Sequence, residues 1–167
     1  PTVAVVGYTN AGKSTLLNRL TDAGVLVEDK LFATLDPTIR MLVLASGRKV
    51  LLSDTVGFIR KLPHSLIAAF RATLEEVVYA DLLMHVIDAS SEEWEDQSRS
   101  VYEVLKELGA SDKKVLTVMN KVDCLNGPAK FRRLLWKPGA IAISAAAGDG
   151  LDQLLTALDV LLSQLDR

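Results

Sequence analysis

Apolar residues fall along this chain in two rhythms. Short Val/Ile/Leu-rich runs at Val3–Val6, Ile39–Leu44, Val50–Ser53, Leu82–Asp88, Val115–Met119 and Ala140–Ile143 predict strands. Longer stretches with three- and four-residue spacing predict helices at Lys13–Thr21, Ser65–Tyr79, Glu92–Leu108, Ala129–Leu135 and Leu151–Leu165. In the last of these, Leu151, Leu154, Leu155, Leu158, Leu161, Leu162 and Leu165 share one helical face. Too few heptads follow for a coiled-coil seam, so the stripe is expected to face a core.

Ser46-Gly47 separates the second and third runs, which makes them a hairpin candidate. The other runs are separated by helices, and their pairing is therefore expected to be parallel. The pattern predicts an α/β fold: a three-layer sandwich with a mostly parallel six-stranded sheet and one antiparallel edge strand.

Composition narrows the class. The chain has 167 residues, enough for one domain with a real core. Hydrophobic residues make up 49% and the mean hydropathy is +0.23, as suits a parallel sheet covered on both faces. No apolar stretch is long enough for a membrane span. One cysteine, Cys124, excludes an intrachain disulfide and fits a reducing compartment, a cytoplasm or an organelle matrix. A net charge of −2 gives no sign of nucleic-acid binding, and sequence-specific DNA binding is not expected. With no charged leader and no initiator Met, residues 1–167 read as a single domain excised from a longer protein.

The chemistry begins at Gly7-Tyr8-Thr9-Asn10-Ala11-Gly12-Lys13-Ser14-Thr15, directly after the first strand. The string fits G-x-x-x-x-G-K-[ST] in the strand–loop–helix setting which that pattern requires. Glycines let the backbone curl until its N–H groups converge, and the positive end of the next helix faces the same point. A polyphosphate belongs there, with Lys13 on the β- and γ-phosphates and the Ser14 hydroxyl on Mg²⁺.

Four further segments complete the set. Asp54-Thr55-Val56-Gly57 closes the third strand, where Asp54 is placed to hold a magnesium-bound water and Gly57 lets its own N–H approach the γ-phosphate. Asn120-Lys121-Val122-Asp123 follows the fifth strand. Asp123 can accept from N1–H and the 2-amino group of guanine, a donor pair that adenine lacks. Asn120 can reach the O6 or N7 side, and the Lys121 stem can lie along the ring. Ser144-Ala145, after the sixth strand, can offer a backbone N–H to guanine O6. Finally, Phe32-Ala33-Thr34-Leu35-Asp36-Pro37-Thr38 offers two threonines, Thr34 and Thr38, as a hydroxyl recruited by the γ-phosphate and the metal. Spacing alone does not choose between them.

These stations in this order are those of the GTPase class of phosphate-loop proteins, and the chain resembles the HflX family within the Obg–HflX branch. The resemblance rests on the string at 7–15, on Leu-Phe-Ala-Thr-Leu-Asp-Pro-Thr at 31–38, on Asp-Thr-Val-Gly-Phe-Ile at 54–59 and on Phe70-Arg71-Ala72-Thr73-Leu74-Glu75-Glu76. It implies that Thr34 is the switch residue on Mg²⁺, that Phe32 and Ala33 belong to the nucleotide site, and that only the GTP-binding domain is present. It also implies the large ribosomal subunit as activator, with ribosome splitting or rescue as the outcome.

One departure from the Ras-like pattern bears on mechanism. The position after Asp-x-x-Gly, often a water-orienting Gln, is Phe58, whose ring neither donates nor accepts, so slow intrinsic hydrolysis is expected. Asn10 occupies a place similar to that of the Asn in potassium-activated GTPases, which suggests K⁺ as a compensation. His64 is a weaker candidate for orienting the water, being beside Pro63 just before a helix. Lys130, Arg132, Arg133 and Lys137 form a small basic cluster that reads more simply as a solvated face than as an RNA contact. Two other readings stand beside a hydrolytic switch: an interaction module with vestigial hydrolysis, and a phosphate-loop kinase or ATPase. The latter is disfavoured by Thr55 after Asp54 and by the guanine-type pair Asn120 and Asp123.

Overall fold

The computed structural model describes residues 1–21, 38–55, 57, 65, 68, 71–128, 132 and 137–167. Among them six strands form one sheet: β1 (Thr2–Gly7), β2 (Thr38–Val43), β3 (Lys49–Asp54), β4 (Leu82–Asp88), β5 (Val115–Asn120) and β6 (Ile141–Ala142). Their order across the sheet is β2-β3-β1-β4-β5-β6. Every pairing is parallel except β2 with β3, which run antiparallel as the expected hairpin. That turn is closed by Leu44 N–H to Arg48 O and Gly47 N–H to Leu44 O, at 2.9 and 2.8 Å.

Helices flank the sheet, among them α1 (Lys13–Thr21), α2 (Arg71–Tyr79), α3 (Trp94–Glu107) and α4 (Leu151–Leu165). β1 is central, and its alternate residues feed two cores. Val3 and Val5 pack with Leu16 and Leu17 of α1 and Leu154, Leu158 and Leu162 of α4. Ala4 and Val6 pack with Leu74 and Val77 of α2 and with Val101, Val104 and Leu105 of α3. Each fully buried leucine contributes about 2 kcal/mol of transfer free energy, so the α4 stripe is a large share of what holds that helix down. Leu151, Leu155 and Leu161 flank it, half-buried. Leu165, expected in the stripe, is instead exposed. In α3, Glu95 and Asp96 in the first turn and Lys106 in the last complement the helix dipole.

The edge strand shows the alternation of a half-covered surface: Leu42 is buried, whereas Ile39, Met41 and Val43 are exposed. Running opposite to its neighbours, β2 sets Thr38 opposite Asp54. The start of β2 therefore lies at the rim where β1, β3, β4 and β5 end, and open parallel sheets bind ligands outside those strand ends. The expected helix at Ala129–Leu135 lies almost wholly outside the described residues.

Candidate nucleotide-binding site

The loop after β1 is shaped by two left-handed residues, Asn10 at φ +63° and Gly12 at φ +96°. Asn tolerates this conformation better than most side chains. At Gly12 only glycine fits, because a Cβ there would lie 2.4 Å from Asn120 Nδ2. Ala11 N–H donates back to Tyr8 O at 3.2 Å, and Leu16 N–H to Gly12 O at 2.9 Å starts α1. Curled in this way at a helix N-terminus, the loop is an anion cradle.

Lys13 opens α1, is 7% exposed, and reaches Gly7 O and Tyr8 O only at long range, 3.4 and 3.5 Å. Burial pushes its pKa below the ordinary lysine value, and the Asp54 carboxylate opposes that shift. A polyanion beside the ammonium would favour the charged form further. Ser14 donates its hydroxyl to Asp54 Oδ2 at 3.0 Å. Thr55, next along, is tied to β1 by its own hydroxyl, 2.7 Å from Val5 O. Gly57 lies against the cradle: a Cβ on it would come within 2.9 Å of Thr9 Cα and 3.3 Å of Lys13 Nζ. The phosphate loop and the Asp54–Gly57 segment thus converge as expected.

Asn120, 2% exposed at the tip of β5, donates from Nδ2 to Ala11 O at 2.9 Å and accepts at Oδ1 from Ala145 N–H at 3.0 Å. Asn120 and the Ala145 N–H, both expected at the base, bond each other in this structure. Asn120 is thereby a brace between two loops. Lys121 takes φ +64°, and its ammonium reaches across to Asn10 O at 2.7 Å and Asp88 Oδ2 at 3.1 Å. Asp123 stands exposed in a 3₁₀ turn, Val122–Cys124, so its carboxylate is open to a ligand. Ser144 is buried and accepts Ala147 N–H on its hydroxyl at 3.1 Å, which shapes the turn after β6.

Phe32, Ala33, Thr34, Phe58 and His64 lie outside the described residues, and so do Lys130 and Arg133 of the basic cluster. Arg132 is exposed. Lys137 does not project freely: its ammonium sits 3.1 Å from the Tyr102 hydroxyl and 5.4 Å above the Tyr102 ring. Two neighbours of the site had no motif to announce them. Asp88 holds Lys121, and Arg19 of α1 donates to Ala146 O behind the Ser144-Ala145 turn. The only sequence hint of Asp88 is a strand-end Asp before Ala-Ser-Ser, a turn-forming composition. A separate groove of about 540 Å³ runs between the β2–β3 turn and α4, and none of these site residues lines it.

A doubly flanked parallel sheet, a phosphate cradle at the first strand tip and a guanine-type turn at the fifth define a phosphate-loop GTPase domain. The profile of the family described as "50S ribosome-binding GTPase" matches residues 2–121, and the GTPase HflX of Lacrimispora saccharolytica is 56% identical over 162 residues, 97% of this chain and 38% of that protein. The chain belongs to this GTPase family, in its HflX group. Among solved structures, a GTP-binding protein from Sulfolobus solfataricus in complex with GDP superposes with a TM-score of 0.78 at 32% identity, over 99% of this chain and 53% of that one. Era in complex with MgGDPNP and a 16S ribosomal RNA segment gives a TM-score of 0.78 at 28% identity, over 94% of this chain and 55% of that one. The chain spans less than two fifths of the length of the curated relatives it matches.

Proposed function

We propose that this domain binds GTP and GDP at the rim formed by residues 7–15, 54–57, 120–123 and 144–145, hydrolyses GTP slowly, and works as a switch triggered by the large ribosomal subunit. The observation that carries the reading is the pair of hydrogen bonds at Asn120, donated to Ala11 O and accepted from Ala145 N–H, which makes the two loops one unit. The matched family's description, the names of the HflX relatives and the GDP in the archaeal structure support it.

In this reading the N–H groups of 9–15 and the Lys13 ammonium hold the phosphates. Asp123 reads the guanine edge, and Lys121 floors the ring. Gly57 brings its N–H to the γ-phosphate, where only a residue without Cβ comes so close to Thr9. Ser14 and Asp54 fit a magnesium site: two hard oxygens side by side, of which the Ser14 hydroxyl would bind the metal and the Asp54 carboxylate would hold a water on it. An ion held there would neutralise charge on the β- and γ-phosphate oxygens. Thr34 is the proposed third protein ligand. It precedes Thr38 by four residues, a reach of at most about 14 Å of extended chain, and Thr38 pairs with Asp54.

Phe58 supplies no partner for the attacking water, so catalysis must come from elsewhere. Asn10, at the crest of the cradle, is the proposed seat of K⁺, and the ribosome is the proposed external source. The same Phe58 favours a second reading, an interaction module in which binding alone recruits partners. Among the described residues no helix is long and apolar enough to cross a membrane, and the proposed setting is the cytoplasm. Calorimetry with GDP and ADP tests the ligand, and equal affinities would overturn the proposal. Turnover in potassium and in sodium, with and without large subunits, tests the trigger: no stimulation in any combination supports the second reading.

A further inference from the structure

We infer that Asp88 is a positioning residue for guanine-nucleotide affinity, acting through Lys121 on both the base platform and the phosphate loop. The inference rests on the nucleotide site proposed above, in which Asp88 itself touches no ligand.

The sheet register sets Asp88 beside Asn120, at the same strand-tip level. Its carboxylate is aimed before any ligand arrives. Oδ1 accepts the backbone N–H of Ser90 at 2.9 Å and the Ser90 hydroxyl at 2.5 Å, and this locks the rotamer and turns Oδ2 to Lys121 Nζ at 3.1 Å. The Lys121 ammonium is shared with Asn10 O at 2.7 Å. A side chain pinned at both ends is drawn taut across the site, and its Cε passes 4.0 Å from where a Cβ on Gly12 would be.

Two strained residues meet at that ammonium. Lys121 and Asn10 are the non-glycine residues with positive φ among those described, a conformation that persists only where surroundings over-determine it. The Lys121 ammonium supplies that constraint for both, since it bonds the Asn10 carbonyl while its own backbone is left-handed. Without Asp88, the ammonium keeps one carbonyl and a swing into solvent. The base platform loosens, and the bond from the ammonium to the Asn10 carbonyl is no longer held in place from its other side.

The test is a double-mutant cycle on GDP binding by this chain, read by calorimetry or by release of a fluorescent GDP. Asp88→Ala should weaken GDP about tenfold, the size of one charge-assisted hydrogen bond, with most of the change in the dissociation rate. Lys121→Met keeps the stem and removes the ammonium; in that background Asp88→Ala should cost nothing more. Asp88→Asn, which preserves shape but not charge, should fall between and covers the case of an unstable alanine variant. An Asp88 loss undiminished in the Lys121→Met background would overturn the inference, as would no loss at all. Failure of the parent chain to prefer GDP over ADP would instead sink the nucleotide site itself, so the two failures are distinguishable.

Discussion

The Ser14 hydroxyl donates to Asp54 Oδ2 at 3.0 Å, across 40 residues of sequence. Both oxygens belong to the magnesium site proposed here, in which the Ser14 hydroxyl would bind the ion and the Asp54 carboxylate would hold a water on it. Ser14→Ala should therefore weaken GDP at least about tenfold in millimolar Mg²⁺, the loss of one ligand to a hard cation. With the metal chelated, variant and parent should differ little. Titration of fluorescent GDP with and without chelator checks this; an equal deficit in both conditions would place the role of Ser14 in the loop rather than at the metal.

Gly57 faces the backbone of Thr9 at a distance no Cβ tolerates. In Gly57→Ala one of the two segments must shift, by a fraction of an ångström. Misplacement on that scale costs on the order of a hundredfold in rate when it lies beside the reacting group. Single-turnover GTP hydrolysis should fall by that order while GDP binding changes far less, since GDP has no γ-phosphate for Gly57 to meet. Parallel losses in both would contradict the assignment.

Removal of Asn120 should cost stability as well as affinity. Asn120→Ala leaves the Ala11 carbonyl and the Ala145 N–H without their present partner in a buried setting. Each such group costs about 1–3 kcal/mol, so urea unfolding should show a loss of about 2–6 kcal/mol by the same figures. GDP affinity should drop steeply in the same variant.

His85 predicts a pH dependence. It lies in β4, 1% exposed, edge-on to Tyr102 with ring centroids 5.2 Å apart. Burial first, then the cations Lys137 and Lys13, lower its pKa from 6.5 to about 3. Between those values the unfolded chain holds a proton that the folded protein excludes. Stability is thus lost as pH falls below 6.5, by about 1.4 kcal/mol per pH unit, until about pH 3. His85→Phe should remove that component of the acid limb, and denaturant midpoints from pH 7 to 4 read it directly.

Most of the sheet was legible in sequence because each strand is a run with its own pattern. β4 is Leu82–Asp88 as expected, and β1, β2, β3 and β5 differ by a residue at one or both ends. Ala140–Ile143 contracted to Ile141–Ala142, since β6 is an edge with only β5 to pair with. The helix expected from Glu92 starts at Trp94, because Asp88 and Ser90 first fold 88–91 into a turn. The phosphate loop could be read because glycine, lysine and serine each answer a local demand. Asp88 and Arg19 could not: their partners are 33 and 127 residues away, and contacts at that range leave no periodicity. The bonding between Asn120 and Ala145 escaped for the same reason.

The Asn120 brace also bears on vectorial synthesis. A chain emerging from the N-terminus exposes its cradle more than a hundred residues before Asn120 exists, and Ala145 follows 25 residues later. At the synthesis speeds usual for growing chains, about 5–20 residues per second, that interval lasts several seconds. The brace that joins the two loops is therefore complete only after Ala145 has been made, when most of the sheet already exists.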